Sequence, residues 1–461
     1  MKITVIGTGY LGAVHAVGMA ALGHQVLGVD SDPKKIDSLR NGRAPFFEPG
    51  LPELLAKTIA SGNLQFTTSI AEAAEFGDVH FVCVGTPQKK GSDVADMRFV
   101  DLVVTELASK MTRSGLIVGK STVPVGTARR LAELARTLAP DGVKPLLAWN
   151  PEFLREGFAV QDTLTPDRLV FGVDDVRADE LLRAVYATIL NRGTPSFTTD
   201  LETAELVKVA ANSFLAMKIS FINSMAEVCE VVGADVTTLA DAIGQDSRIG
   251  RRFLNAGVGF GGGCLGKDIR AFRARGEELG VGEALDFLET VDAVNDRRRR
   301  RVVELAIEQL DGDVAGRRIT VLGAAFKPNS DDVRDSPALH VARALSDLGA
   351  VVTVHDPVAI ENARRAAPQL RYADSIEEAV FEADILIHLT EWVDYRNLDP
   401  MNLNGLVTSR VVIDGRNGLD SDVWNAAGWT VHALGRSTAP AWDISPQFES
   451  AASASEKEAV A

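Results

Sequence analysis

The sequence predicts an α/β protein in which two doubly wound domains are joined by a helical middle region. Three observations carry this expectation. A strand, a glycine turn, a helix and a second strand open the chain at 2–29, and the same grammar restarts at 318–354. Between them, from 201 to 310, apolar residues recur at helical spacing with few β-branched runs. The expected divisions are 1–200, 201–310 and 311–440, followed by a flexible Ser-, Ala- and Glu-containing tail at 441–461 that is most solvated from about 449.

Taken in order, the first unit reads strand 2–6, helix 11–22 and strand 25–29 ending at Asp30. Strand-like runs at 79–84, 116–119 and 145–149 alternate with helical stretches and extend a parallel sheet to about residue 200. Long helices are expected at 203–232 and 282–310. The second carries the run Arg297 to Arg301, which reads as a solvated face, and its length suits a dimer spine. A strand at 319–322, a helix at 337–348 and strands at 351–354, 385–389 and 411–413 build the second sheet.

The bulk numbers narrow the function classes. A chain of 461 residues exceeds one core and suggests roughly two to four domains, with 46% apolar and 24% charged residues as in ordinary globular proteins. A formal charge of -15 argues against a nucleic-acid-binding surface, which needs excess Lys and Arg, while a local basic pocket for a small phosphate ligand remains allowed. Gly7, Gly9, Gly12 and His15 interrupt the apolar start, so a secretory leader is rejected, and no run is long enough to span a membrane. Cys83, Cys229 and Cys264 cannot all pair and offer no metal spacing, which points to a reducing, cytoplasmic compartment.

The chemistry-bearing motifs follow the predicted strands. Gly7-Thr8-Gly9-Tyr10-Leu11-Gly12 fits the dinucleotide fingerprint, with one glycine for the turn, one for close approach of a pyrophosphate and one for helix packing. Asp30 is placed to accept from a ribose 2'-hydroxyl and to repel a 2'-phosphate, which favours NAD. The second unit has only Gly323 in the corresponding turn, so its Phe326, Lys327, Arg334 and Arg416 suit a nucleoside diphosphate instead.

Five glycines between Gly257 and Gly263 precede Cys264, a density that calls for close approach of the backbone to something, most naturally a ligand. Cys83 and Cys229 read as core fillers, whereas Cys264 is exposed by its loop, with Lys267 available to lower its pKa and Asp268 to orient a base or water. Glu205, Lys208, Asn212, Asn223 and Glu227 form a polar stripe that is either a solvated face or a buried polar set; Lys208 and Asn212 share a face and could bind one oxygen. Glu152 and Glu156 follow one strand, and Ser121 and Thr122 follow another.

These motifs, with Asn150-Pro151-Glu152-Phe153-Leu154 and Arg248-Ile249-Gly250, resemble in order the UDP-glucose 6-dehydrogenase family, within the broader UDP-glucose and GDP-mannose dehydrogenases. The resemblance runs from Met1 to about Leu434 and implies two Rossmann-like domains, one for NAD and one for UDP, around a helical dimer-forming middle. It implies Cys264 as nucleophile, Lys208 and Asn212 as stabilisers of the reacting oxygen, and Asp268 and Thr122 as positioners of water or base, with Glu152 and Glu156 in acid/base work. Gly7, Gly9, Tyr10, Leu11, Gly12, Asp30, Lys35, Thr86, Thr122, Glu156, Lys267 and Arg334 would meet the cofactor. Glu152, Phe153, Leu154, Lys208, Asn212, Phe260, Gly261, Phe326, Lys327 and Arg416 would meet the sugar nucleotide, Lys267 would also line its pocket, and Arg248 would reach a neighbouring subunit's substrate. Gly266 stands where the family usually has a proline or another residue, so a looser loop is expected.

The implied reaction oxidises UDP-glucose to UDP-glucuronate in two NAD-dependent hydride transfers through a Cys264 thiohemiacetal and thioester, followed by hydrolysis. The alternative is the same four-electron oxidation of GDP-mannose or an N-acetylated UDP sugar. A two-electron hydroxyacid dehydrogenase would need neither Cys264 nor a second sheet domain. A silent nucleotide-sugar sensor would not need the Cys, Lys and Asn together.

Overall fold

The computed structural model describes residues 1–436, so the expected tail and the last residues of the third division lie outside the described residues. The first sheet has eight strands: β1 (Lys2–Ile6), β2 (Gln25–Val29), β3 (Leu64–Thr67), β4 (Val79–Val82), β5 (Leu116–Gly119), β6 (Leu146–Trp149), β7 (Leu169–Val173) and β8 (Ser196–Thr199). Their order is β3-β2-β1-β4-β5-β6-β7-β8. The second has β9 (Arg318–Leu322), β10 (Val351–His355), β11 (Arg371–Tyr372), β12 (Ile385–His388), β13 (Val411–Asp414) and β14 (Thr430–Ala433), in the order β11-β10-β9-β12-β13-β14. Both orders reverse beside the first strand of the unit, and ligands of such sheets bind in the crevice outside the carboxyl ends there. Apolar strands such as β1 and β4 are buried because helices cover both sheet faces, which is what a parallel sheet requires.

The first sheet is not parallel throughout, as β7 runs antiparallel to β6. The connection contains only the six-residue helix Ala159–Leu164, which stays against the Tyr10–Ala21 helix, so that a Cβ on Gly18 would lie 2.3 Å from Thr163 Cγ2.

Between the sheets runs a 32-residue helix, Leu201–Val232, capped by the Asp200 carboxylate on Thr203 N and ended by Gly233 in the left-handed region. At 1.5 Å per residue it is about 48 Å long. Helices Leu265–Glu278 and Phe287–Gln309 pack against it. The last of these was expected to carry a solvated arginine face, and the structure corrects this for Arg298 and Arg299. Arg298 and Arg299 are 0% and 3% exposed, because Glu230 faces Arg298 at 3.0 Å and Asp335 faces Arg299 at 2.8 Å. An exposed apolar ridge lies on the Leu201–Val232 helix, at Phe214, Phe221 and Val228. Among the described residues no helix is long and apolar enough to cross a membrane.

Candidate active site

The turn after β1 divides its three glycines by task. Gly7 has φ +93°, and a Cβ there would lie 2.8 Å from Val84 Cγ1; a Cβ on Gly12 would lie 1.8 Å from Gly7 O. These two are required by packing. Nothing lies within 4 Å of where a Gly9 Cβ would stand, and Gly9 heads the Tyr10–Ala21 helix without a side-chain cap. The free helix N–H groups therefore face open space suited to an anionic diphosphate.

At the end of β2, Asp30 Oδ2 accepts from Thr8 N at 2.9 Å and Lys35 Nζ at 2.8 Å. Desolvation pushes the Asp30 pKa up, but Lys35 and the N–H groups of Asp32 and Thr8 prevail and hold it below the usual range. Oδ1 receives only Asp32 N, at 3.1 Å, which leaves capacity for a ribose hydroxyl. The residues thus fit NAD. Thr86 Oγ1 donates to Thr122 O at 2.8 Å and ties the loops after β4 and β5 together, while Leu11 packs partly into the core. The Tyr10 hydroxyl donates to Glu48 and accepts from Gly157 N at 3.0 Å, so its side chain anchors the Glu156 loop. Glu48, 3% exposed, also accepts from Gly157 N and Ala159 N at 2.6 and 2.7 Å. No sequence signal marked Glu48, a carboxylate in a proline-containing loop.

The polar stripe on the long helix is buried at Glu205, Lys208, Asn212 and Asn223, whereas Glu227 stays partly exposed and pairs with Arg297. Lys208 Nζ lies 3.1 Å from Glu152 Oε1, and Asn212 Nδ2 donates to Asp268 Oδ2 at 2.7 Å. Burial pulls the Lys208 pKa down, but Glu152, Cys264 and Asp268 outweigh it and hold the ammonium above its ordinary value. Asn223 Oδ1 accepts from Gly257 N at 2.8 Å, and Glu205 accepts from Gly126 N and Ala128 N, both at 2.6 Å, capping the Thr127–Leu138 helix from a distance. Burial, only partly offset by those N–H groups, pushes the Glu205 carboxyl up to about 7.

Cys264 is the N-cap of the Leu265–Glu278 helix and is exposed, whereas Cys83 and Cys229 are buried as expected. Solvent reaches Cys264, yet the protein crowding its cleft pushes the thiol up to about 11; Asp268 and Glu152 act in the same direction and Lys208 opposes them. Lys267 was expected to lower this pKa. Its ammonium is instead bound to Asp268 Oδ1 at 2.6 Å, because Asp268 is 2% exposed and needs compensation.

Glu152 and Glu156 have different surroundings. Glu152 holds Lys208 and accepts from Leu154 N at 2.6 Å, while Phe153 lies under Lys208 and the Arg168 guanidinium. Glu156 sits where the two sheet domains meet, accepting from Ser330 Oγ at 3.0 Å and lying 3.4 Å from Arg334. Burial and then Asp332 raise its pKa to about 7, against Arg334 and Lys327.

The glycine run was expected to approach a ligand, but several of its glycines are required by protein. A Cβ on Gly259 would lie 2.3 Å from Asn295 Oδ1, on Gly261 2.3 Å from Asp335 O, on Gly262 2.8 Å from Phe326 Cε2 and on Gly263 2.5 Å from Arg334 Cζ. The run is sandwiched between the Phe287–Gln309 helix and the second sheet domain. Gly266 does not loosen it, since that residue is buried in the first turn of the Leu265–Glu278 helix. Lys327 lies 5.3 Å from the centre of the Phe326 ring, its pKa lowered by burial against the pull of Glu156 and Cys264. Arg416 donates to Leu389 O at 2.8 Å, Gly259 O at 2.8 Å and Phe326 O at 3.2 Å, so its guanidinium organises the pocket wall. Beside it a polar cavity of about 240 Å³ is lined by Thr237, Arg251, Asn255, Glu391 and Arg396 among others. Arg248 is not brought to this site: its side chain is 87% exposed and bound to Asp246.

The comparisons agree with this geometry. The UDP-glucose/GDP-mannose dehydrogenase family matches through its NAD binding domain at residues 1–190, its central domain at 202–297 and its UDP binding domain at 320–421. The UDP-glucose 6-dehydrogenase of Rhizobium meliloti (strain 1021) is 43% identical over 95% of this chain and 100% of its own, and one from Bacillus subtilis (strain 168) is 40% identical over 95% and 98%. Among solved structures, a UDP-glucose dehydrogenase of Pyrobaculum islandicum superposes with TM-score 0.87 at 40% identity, covering 95% of this chain and 98% of that one. A UDP-D-ManNAc dehydrogenase of Pyrococcus horikoshii gives TM-score 0.82 at 26% identity, covering 95% and 99%. With its cofactor turn, buried Lys208 and Asn212, and Cys264 exposed at a helix N-terminus, the chain belongs to the UDP-glucose/GDP-mannose dehydrogenase family.

Proposed function

We propose that this protein, an NAD-dependent oxidoreductase, converts UDP-glucose to UDP-glucuronate by a four-electron oxidation with Cys264 as covalent nucleophile. The observation that carries the reading is the cluster of Lys208, Asn212, Asp268 and Glu152 around an exposed cysteine at a helix N-terminus. UDP-glucose is favoured over GDP-mannose and N-acetylated UDP sugars by the relatives of 40% identity and above that carry its name.

The Gly9 turn and Asp30 would hold NAD, which would supply the hydride acceptor for each of the two oxidations. The first leaves an aldehyde at C6 of the sugar, to whose carbon Cys264 Sγ adds; the thiol proton leaves and the carbonyl oxygen takes up charge as a thiohemiacetal forms. Lys208 and Asn212 donate to that oxygen. Oxidation of the adduct leaves a thioester, water positioned by Asp268 and Thr122 attacks it, and the thiolate departs. Because the thiol is held protonated at neutral pH, a base must act during addition. Glu156, with its pKa near neutrality, takes that role, and Glu152 orients Lys208.

Phe326, Lys327 and Arg416 hold the nucleotide end, and Arg334 lies by the cofactor. The functional unit is a homodimer formed on the ridge of Phe214, Phe221 and Val228, whose seven-residue spacing keeps them on one face; Arg248 then reaches the partner's substrate. The three free cysteines suit a cytoplasmic setting. The reading is tested by the NADH yield from limiting UDP-glucose, with GDP-mannose in parallel. Two NADH per sugar are expected, one would reduce the protein to an alcohol dehydrogenase, and reaction with GDP-mannose alone would move the substrate.

A further inference from the structure

The Phe287–Gln309 helix, which contributes no group to the cluster above, grips the loop that carries Cys264. Phe260 N donates to Asn295 Oδ1 at 2.7 Å and Asn295 Nδ2 donates back to Phe260 O at 3.0 Å, so one side chain makes the paired bonds that a neighbouring strand would make. One turn later, Arg299 donates to the same Phe260 O at 2.8 Å and to Asp335 Oδ1 at 2.8 Å. Both side chains are buried, at 1% and 3% exposure. The next contacts continue through the second sheet domain, since Gly262 N donates to Arg334 O at 2.9 Å and the Arg334 side chain lies 3.4 Å from Glu156 of the first domain.

We propose that Asn295 and Arg299 are positioning residues that hold the Cys264 loop in its reactive geometry and tie that geometry to closure of the two sheet domains over the site. The inference rests on the reading of Cys264 as nucleophile. A buried side chain satisfying both polar groups of one loop residue leaves that residue no rotational freedom, and the three residues between Phe260 and Cys264 are too short a tether to wander. Gly259, at φ +95°, is required to let Asn295 approach this closely. Arg299 makes the grip conditional, because its second partner, Asp335, belongs to the nucleotide-side domain.

The test uses the full chain with Asn295→Ser, Arg299→Lys and Asp335→Asn; Asp335 is partly exposed, so the last variant reports even if a buried substitution prevents folding. Iodoacetamide alkylation of Cys264 is followed by peptide mass spectrometry on ligand-free protein, Cys83 and Cys229 being buried. Loosening the loop is expected to speed alkylation about tenfold while kcat falls by about 10² with a much smaller change in KM for UDP-glucose. Arg299→Lys should restore part of the effect relative to Arg299→Met, since an ammonium can still reach one partner. Unchanged alkylation in folded variants, whether or not turnover falls, overturns the positioning role. Cys264→Ser runs alongside: near-normal acid production by it defeats the nucleophile reading, while the alkylation rates still decide the grip.

Discussion

Asn212 on the long helix donates to Asp268 on the helix headed by Cys264, across 2.7 Å and with both side chains buried. The second oxygen of Asp268 is held by Lys267 at 2.6 Å. One carboxylate thus joins the helix of Lys208 and Asn212 to the helix headed by Cys264, and its charge opposes ionisation of the thiol.

Asp268→Asn should therefore lower the Cys264 pKa from about 11, because it removes the largest charge acting against the thiolate. Turnover should fall despite the more acidic thiol, since Lys267 loses its partner and water its orienting group. The pH dependence of alkylation measures the pKa, and an unmoved midpoint would contradict the assignment.

Lys208→Ala removes the donor to the charged oxygen and leaves Glu152 without its partner. Overall turnover should drop by about 10² to 10³, the usual cost of one such donor. Steady-state kinetics decide it, and unaltered rates would remove Lys208 from the chemistry.

The Glu156 carboxyl has a folded pKa of about 7 against an ordinary 4.5, raised first by burial. If its ionised form is the base, kcat/KM should climb with pH through about 7, and Glu156→Gln should abolish that limb and lower the rate by about 10² or more. Stability has the opposite slope. The contribution of this group is complete below about 4.5 and is lost as pH rises through about 7, because the folded state resists ionisation. Melting temperatures of the two proteins should draw together or cross over that window.

Two glycines near Cys264 should respond oppositely to alanine. Gly259→Ala places a Cβ 2.3 Å from Asn295 Oδ1 at a φ of +95°, so the loop and activity should both suffer. Gly266→Ala meets nothing closer than 3.4 Å within a helix, and should stabilise by about 0.5–1 kcal/mol. Urea melts of both variants provide the comparison.

Phe214→Asp with Phe221→Asp places two charges on the exposed ridge of the long helix. The proposed ridge interface predicts a dimer for the parent protein and a monomer for the double variant by light scattering, with activity reduced by loss of the partner's Arg248. A dimer that survives the double substitution would place the interface elsewhere.

Much of the site was legible because its signals are local. The fingerprint of Gly7, Gly9 and Gly12 with Asp30 depends on a strand, a turn and a helix adjacent in the chain, and the sheet order follows from the same βαβ repeats. Cys264 stood out because a glycine run marks it. Lys208 and Asn212 share a helix face by spacing alone. Glu48 carried no such mark: it is an isolated carboxylate whose backbone N–H partners, Gly157 and Ala159, lie at least 109 residues away.

The sequence by itself determined the two sheets and the cofactor turn, since strand periodicity and turn chemistry are short-range properties. The tertiary structure alone decided which polar groups became partners. Arg298 and Arg299 are buried only because Glu230 and Asp335 arrive from other elements, and Lys267 turns to Asp268 because a buried carboxylate requires a counter-charge. It also decided that Glu152 and Glu156, four residues apart, face different surroundings, one against the Lys208 ammonium and the other in the seam beneath Arg334. Burial and charge at a site are sums over neighbours brought together by folding, and no spacing along the chain encodes them.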